Sequence, residues 1–127
     1  MTSVDTRALM LIAVGGRRVA VHGGEVSEIA RVTAVTPVPC DDPAILGVAI
    51  HRGHIVPVVD LARRLGEAAA GVPPWLCLFV RSIGGDVGVP IDAVLGFGAS
   101  GNARLPDGVT FVDFSILGAG NGAVAPY

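Results

Sequence analysis

ILGVAIHRGHIVPVVDLARRLG, residues 45–66, sets two apolar runs back to back across a short polar break. The runs are 45–50 and 55–59, and His51-Arg52-Gly53-His54 separates them. Such runs, divided by a few residues that include a glycine, read as a β-hairpin. Gly53 supplies the positive φ that a loop of this length needs. Nearly every position of both runs is apolar, so both faces of the hairpin are expected to be covered. Only the turn is polar. It carries Arg52, a planar five-donor cation, at the tip of a rigid support. A charged tip on a buried stem suits recognition of a partner better than chemistry. The second run ends at Asp60, and 61–65 suits a single helical turn stopped by Gly66.

Working outward, residues 8–14 and 17–22 read as strands about a Gly15-Gly16 turn, with Val19 and Val21 on one face. Val26 and Ile29 stand three apart, as on a short helical turn. RVTAVTPV, 31–38, is rich in β-branched residues and is expected to be a third strand, ended or placed at an edge by Pro37 and Pro39. CDDPA, 40–44, is a loop, and EAAAGVPP, 67–74, is the best linker candidate. Past it, 75–80 and 86–91 read as strands about Gly84-Gly85, and 92–95 as a short helical turn. Residues 96–107 read as loop with one weak strand, and 109–114 as a last strand. Both 1–6 and 118–127 read as loose tails.

The two halves resemble each other. Val19-Ala20-Val21 followed by Val26 matches Val87-Gly88-Val89 followed by Val94. Val58-Val59-Asp60-Leu61 matches Phe111-Val112-Asp113-Phe114. The chain thus reads as a twofold repeat of a small β unit, which closes naturally into small barrels. The charged turn at 51–54 is answered in the second half only by Asp107-Gly108.

Composition bounds the function. The 127 residues suit one domain, and 51% hydrophobic against 16% charged residues argues for a packed core rather than disorder. All nine basic residues are arginines, scattered along a chain of net charge −2, which argues against a nucleic-acid or anionic-membrane surface. The apolar run at 8–14 is short for a signal-peptide core and too short to span a bilayer, so the cytoplasm is the expected compartment. Cys40 and Cys77 are too far apart in sequence for a local metal motif and are expected to be free, buried thiols.

With GVAIHRGHIVPVVDLARRLG, residues 47–66, and DVGVPIDAVLGF, residues 86–97, the chain resembles the CheW-like domain over roughly 8–117. That domain belongs to the bacterial chemotaxis coupling protein and to the regulatory end of its partner histidine kinase. The resemblance implies an all-β fold of two tandem small SH3-like five-stranded barrels, here 8–66 and 75–117. It implies no catalytic centre and no cofactor. Its partners would be a methyl-accepting chemoreceptor and the regulatory domain of a CheA-type kinase, within a membrane-associated array. Gly47, Arg52 and Gly53 match family positions tied to receptor or kinase contact. One departure is the short second half between Leu95 and Val109. It is expected to cost the second barrel a strand or leave an open edge. A divergent module that binds one partner, or itself, is the alternative.

Catalytic readings are weaker. His51 and His54 lack a third ligand nearby other than Asp42 or Asp60, and zinc needs three or four. Asp60 and Asp113 invite an aspartic-protease reading, but the small residue and glycine that should follow are absent. Both are read as structural, accepting backbone N–H bonds where a strand ends. Cys40 has no local nucleophile signature, with His22 the only base in view. Arg63-Arg64 reads as a solvated helix face.

Overall fold

The Gly-Gly turns do what the sequence asks of them. β1 (Ala8–Val14) and β2 (Arg17–His22) pair antiparallel, and Gly15 and Gly16 turn the chain with φ of 59° and 83°. β6 (Trp75–Ser82) and β7 (Gly85–Ile91) form a second hairpin, from Leu76 opposite Ile91 to Ser82 opposite Gly85. β4 (Ile45–His51) and β5 (His54–Val59) form the third, followed at once by α1 (Leu61–Arg64). The computed structural model describes residues 8–82, 84–99 and 108–114.

The remaining strands correct the expectations. Residues 26–29 are not helical: after a 3₁₀ turn at Gly23–Glu25 they open β3 (Val26–Val32). The strand expected at 31–38 ends at Val32, and its remainder touches a sheet only through the bridge between Thr36 and Val48. The helical turn expected at 92–95 is the start of β8 (Ala93–Ala99), which also absorbs the beginning of the expected loop. The rest of that loop, 100–107, and both expected tails lie outside the described residues. The last strand is shorter than expected: β9 covers Val109–Phe111, and Val112 N–H still donates to Ala20 O.

Two sheets result, in the orders β8-β1-β2-β9 and β3-β6-β7-β5-β4. The internal repeat explains both. Each sheet is the opening hairpin of one half, flanked by strands of the other. β8 pairs antiparallel with β1 as β3 does with β6, and β9 runs parallel to β2 as β5 does to β7. The sheets therefore do not follow the division at 67–74; each draws strands from both sides of it. Only β4 lacks a counterpart among the described residues.

The main core lies between the sheets. Ile12, Val14, Val19 and Val21 from one meet Leu78, Val80, Val87 and Val89 from the other. The opposite face of the five-stranded sheet buries a second cluster, with Val56, Val58, Cys77 and Phe79 at its centre. Successive side chains of a strand point to opposite faces. Covering both faces is why Trp75–Ser82 begins as an unbroken apolar run. Among the described residues no helix is long and apolar enough to cross a membrane.

Candidate functional site

The β4–β5 hairpin turns more tightly than the polar break suggested. His51 and His54 still face each other in the ladder, leaving a two-residue turn of Arg52 (φ 51°) and Gly53 (φ 79°). Two consecutive positive φ values match the right-handed strand twist, as in a type I′ turn. Space is open around Gly53, so its conformation, not crowding, is what calls for glycine.

Glu28, on β3, ties this turn to the neighbouring strand. Its Oε1 lies 2.9 Å from His51 Nε2 and accepts a 2.5 Å bond from Arg52 Nε. That bond to Arg52 is the main cause holding the Glu28 carboxyl below the usual range, and it raises Arg52 in turn. His51 also stacks on Phe79, with ring centroids 3.8 Å apart and planes 8° from parallel. The Arg52 side chain nonetheless stays 72% exposed, so the guanidinium end remains presented to solvent.

Both faces of the hairpin are covered at its base but not at its tip. Ile50 and Ile55, cross-strand partners, are 79% and 72% exposed. Beside them a cleft of about 470 Å³ opens between the edge strands β3 and β4, lined by Val32, Thr33, Thr36, Val48 and the two isoleucines. The bridged pair Thr36 and Val48 and also His51 are part of its lining. The tip thus offers an apolar pair, an arginine and a groove on one rigid support.

Gly47 sits elsewhere, buried where residues 35–36 cross the hairpin. A Cβ there would collide with the Thr36 carbonyl oxygen and with a Val35 methyl. It acts by letting backbone approach backbone. Asp60 is 1% exposed and caps α1: Oδ1 accepts from Arg63 N–H at 3.2 Å and Oδ2 from Ala70 N–H at 2.9 Å. Both oxygens accept from backbone N–H groups where the strand ends. Asp113 follows β9 between the buried Val112 and Phe114.

Other expectations need correction. Cys40 is exposed, not buried; Cys77 is buried, and burial pushes its thiol up to about 12. Arg64 is no solvated cation: its side chain is 8% exposed and its Nη2 meets Asp42 Oδ2 at 2.6 Å. Among the described residues no cluster of three or more His, Cys, Asp or Glu is placed to hold a metal. Glu28 escaped the sequence reading altogether. Its signal was a lone carboxylate among the inward positions of an alternating strand, Val26, Glu28, Ala30 and Val32.

Among known proteins, the CheW-like domain is the family whose model the chain matches, over residues 8–98. The chain is 42% identical over 84 residues to Protein FrzA of Myxococcus xanthus, covering 65% of this chain and 52% of that protein. It is 35% identical over 89 residues to the Chemotaxis protein CheW of Rhizobium meliloti (strain 1021), covering 69% and 57%. The match thus spans little more than half the length of either relative. The crystal structure of the scaffolding protein TtCheW from Thermoanaerobacter tengcongensis has the same fold, with a TM-score of 0.73 at 19% identity over 94% of this chain and 99% of that one. A nearly all-β chain of two interleaved sheets, with its most distinctive motif at the β4–β5 hairpin, this protein belongs to the CheW-like domain family.

Proposed function

We propose that the chain is a non-enzymatic adaptor that joins a chemoreceptor to the regulatory domain of a CheA-type histidine kinase. The observation that carries this reading is the hairpin tip. Ile50 and Ile55 are exposed as a pair beside Arg52 and the adjoining cleft, on a backbone fixed by Glu28, Gly47 and Asp60. A centre of exposed aliphatics with a planar cation at its margin is the composition of a protein-binding hot spot. Holding Arg52 through Nε lowers the entropy it loses when its outer nitrogens fork onto a partner carboxylate. Gly53 sets the turn and Gly47 the seating of the hairpin, so both serve the contact through backbone shape. One relative is a chemotaxis protein and the structural neighbour is a scaffolding protein, and both agree with this role. The place of action is the cytoplasm, at membrane-associated receptor arrays.

The test is co-sedimentation with receptor and kinase using Arg52→Glu and Ile55→Lys. Ile55 is exposed, so Ile55→Lys should unfold within about 0.5 kcal/mol of the parent, whereas Arg52→Glu also sets a carboxylate against Glu28 and its binding is read at equal folded fraction. Binding of at least one partner should fall roughly tenfold or more, as hot-spot residues do. Undiminished binding of both variants would remove the hairpin tip from the interface.

A further inference from the structure

The bridge at Val48 shows how the outer edge of β4 accepts a strand. Val48 N–H donates to Thr36 O at 2.9 Å and Thr36 N–H to Val48 O at 2.8 Å, so both backbone groups of Val48 point away from β5. In an antiparallel ladder the backbone groups of alternate residues share a side. From Val48 to His51 the pairing with β5 runs without a bulge, so Ile50 N–H and C=O point the same way as those of Val48. The rung after Thr36–Val48 would be Ala34 with Ile50, and it is not made. Arg31 to Ala34 line the cleft instead, as do Val48 to His51. The outward backbone groups of Ile50 are thus turned toward the cleft, with no backbone partner among the described residues.

The lining is apolar and cationic. Val32, Val48, Ile50 and Ile55 supply apolar surface, and no aspartate or glutamate takes part. Arg31 is an exposed member of the lining with no ion pair or hydrogen bond to another described residue. A carboxylate is the charge that complements such a rim. The unmade rung asks for extended backbone, because a helix spends its own N–H and C=O groups internally.

We propose that the cleft takes a short extended segment of a partner protein, carrying an aliphatic side chain and a carboxylate, which adds to the outer edge of β4 at Ile50. The residue opposite Ile50 exchanges backbone hydrogen bonds with it. Its side chain lies beside those of Ile50 and Ile55, which already face each other across β4 and β5, so three aliphatics form one row. The carboxylate meets Arg31. The inference rests on the hairpin tip being the adaptor's contact surface, and it names the kind of segment bound there.

The probe is the blocked pentapeptide glutamate-threonine-isoleucine-threonine-glutamate, whose symmetric sequence suits either strand direction. It is titrated into the full chain and followed by amide NMR and hydrogen exchange. Binding should saturate, and the Ile50 amide, open to exchange in the free chain, should slow at least roughly tenfold at saturation. N-methylation of the peptide's isoleucine removes the donor to Ile50 O and should weaken binding roughly tenfold. Arg31→Glu should weaken it several-fold and favour the same peptide with lysines in place of glutamates. No binding at millimolar peptide overturns the proposal. So does an N-methylated peptide that binds as tightly as the parent, or an Ile50 amide that stays open in the bound chain. An Ile50 amide already protected in the free chain overturns it too, since Ala34 or a second copy then holds the rung. Co-sedimentation with receptor and kinase reads the adaptor role separately: a chain that binds them while failing the peptide tests keeps that role and loses the cleft as a strand site.

Discussion

The hairpin tip and the β8 edge both leave large apolar side chains in water, yet they are built differently. At the tip, β4 and β5 satisfy each other, the turn is tied to Glu28, and Gly47 is wedged under Thr36. Side chains are on offer there at fixed positions, beside an outer edge of β4 that carries the Thr36–Val48 bridge. At β8 the ladder to β1 occupies one side, and no strand among the described residues pairs with the other. A locked loop selects partners by side-chain shape and charge; an open edge accepts whatever strand fits its spacing. The tip accordingly carries Arg52 and His54 around its isoleucines, while β8 carries no charge at all.

Breaking the lock at the hairpin is the most severe way to erase this difference. Gly47→Val should destabilise the chain by about 4 kcal/mol or prevent folding, because the added carbons meet the Thr36 backbone rather than a flexible side chain. Chemical denaturation measures it, and a loss below about 1 kcal/mol would show that residues 35–36 simply lift away. Next comes Asp42→Ala, which leaves the buried Arg64 without its carboxylate. Arg64 is buried but Asp42 is one third exposed, so removing the carboxylate should cost about 1–2 kcal/mol, and the loss should loosen the 42–44 segment that seats the base of the hairpin. Asp42→Ala with unchanged stability would mean that Arg64 reaches water instead.

The smallest effect concerns Glu28. Its folded pKa lies below the unfolded one, so its contribution is complete above the unfolded carboxylate value and is lost as pH falls through the folded value. The parent should therefore show a steeper acid-range decline in stability than Glu28→Gln. Proton titration followed by NMR at the Glu28 carboxyl would read the same shift directly. If Glu28 titrates at its ordinary value, the tip is held by Gly47 and the ladder alone.

How legible each region was follows from what its residues have to do. The three hairpins could be read because glycine turns separate continuous apolar runs, and two covered sheet faces require such runs. β3 was obscured by the residue that ties it to the site: Glu28 occupies an inward position and spoils the alternation. In 31–38 the β-branched residues promised a strand, but Pro37 and Pro39 cannot donate to a ladder, and only the Thr36–Val48 bridge forms. β8 was hidden by Gly96 and Gly98, which look like loop punctuation until β1 is seen holding them in register opposite Leu11 and Leu9. The tip itself read correctly as charged but not as apolar, because burial of Ile50 and Ile55 depends on neighbours that the strand pattern does not name.

The exchange of strands between the halves also sets a timetable for the nascent chain. β1 and β2 leave the ribosome first, yet their outer neighbours, β8 and β9, are among the last described strands to be made. The first hairpin must therefore wait, both edges bare, while nearly all the intervening chain is translated. The five-stranded sheet can be completed earlier, as soon as β7 emerges. Pairings so distant in sequence fold slowly and leave strand edges open to capture in the meantime. Synthesis rate and chaperone supply should thus bear on the four-stranded sheet far more than on its partner.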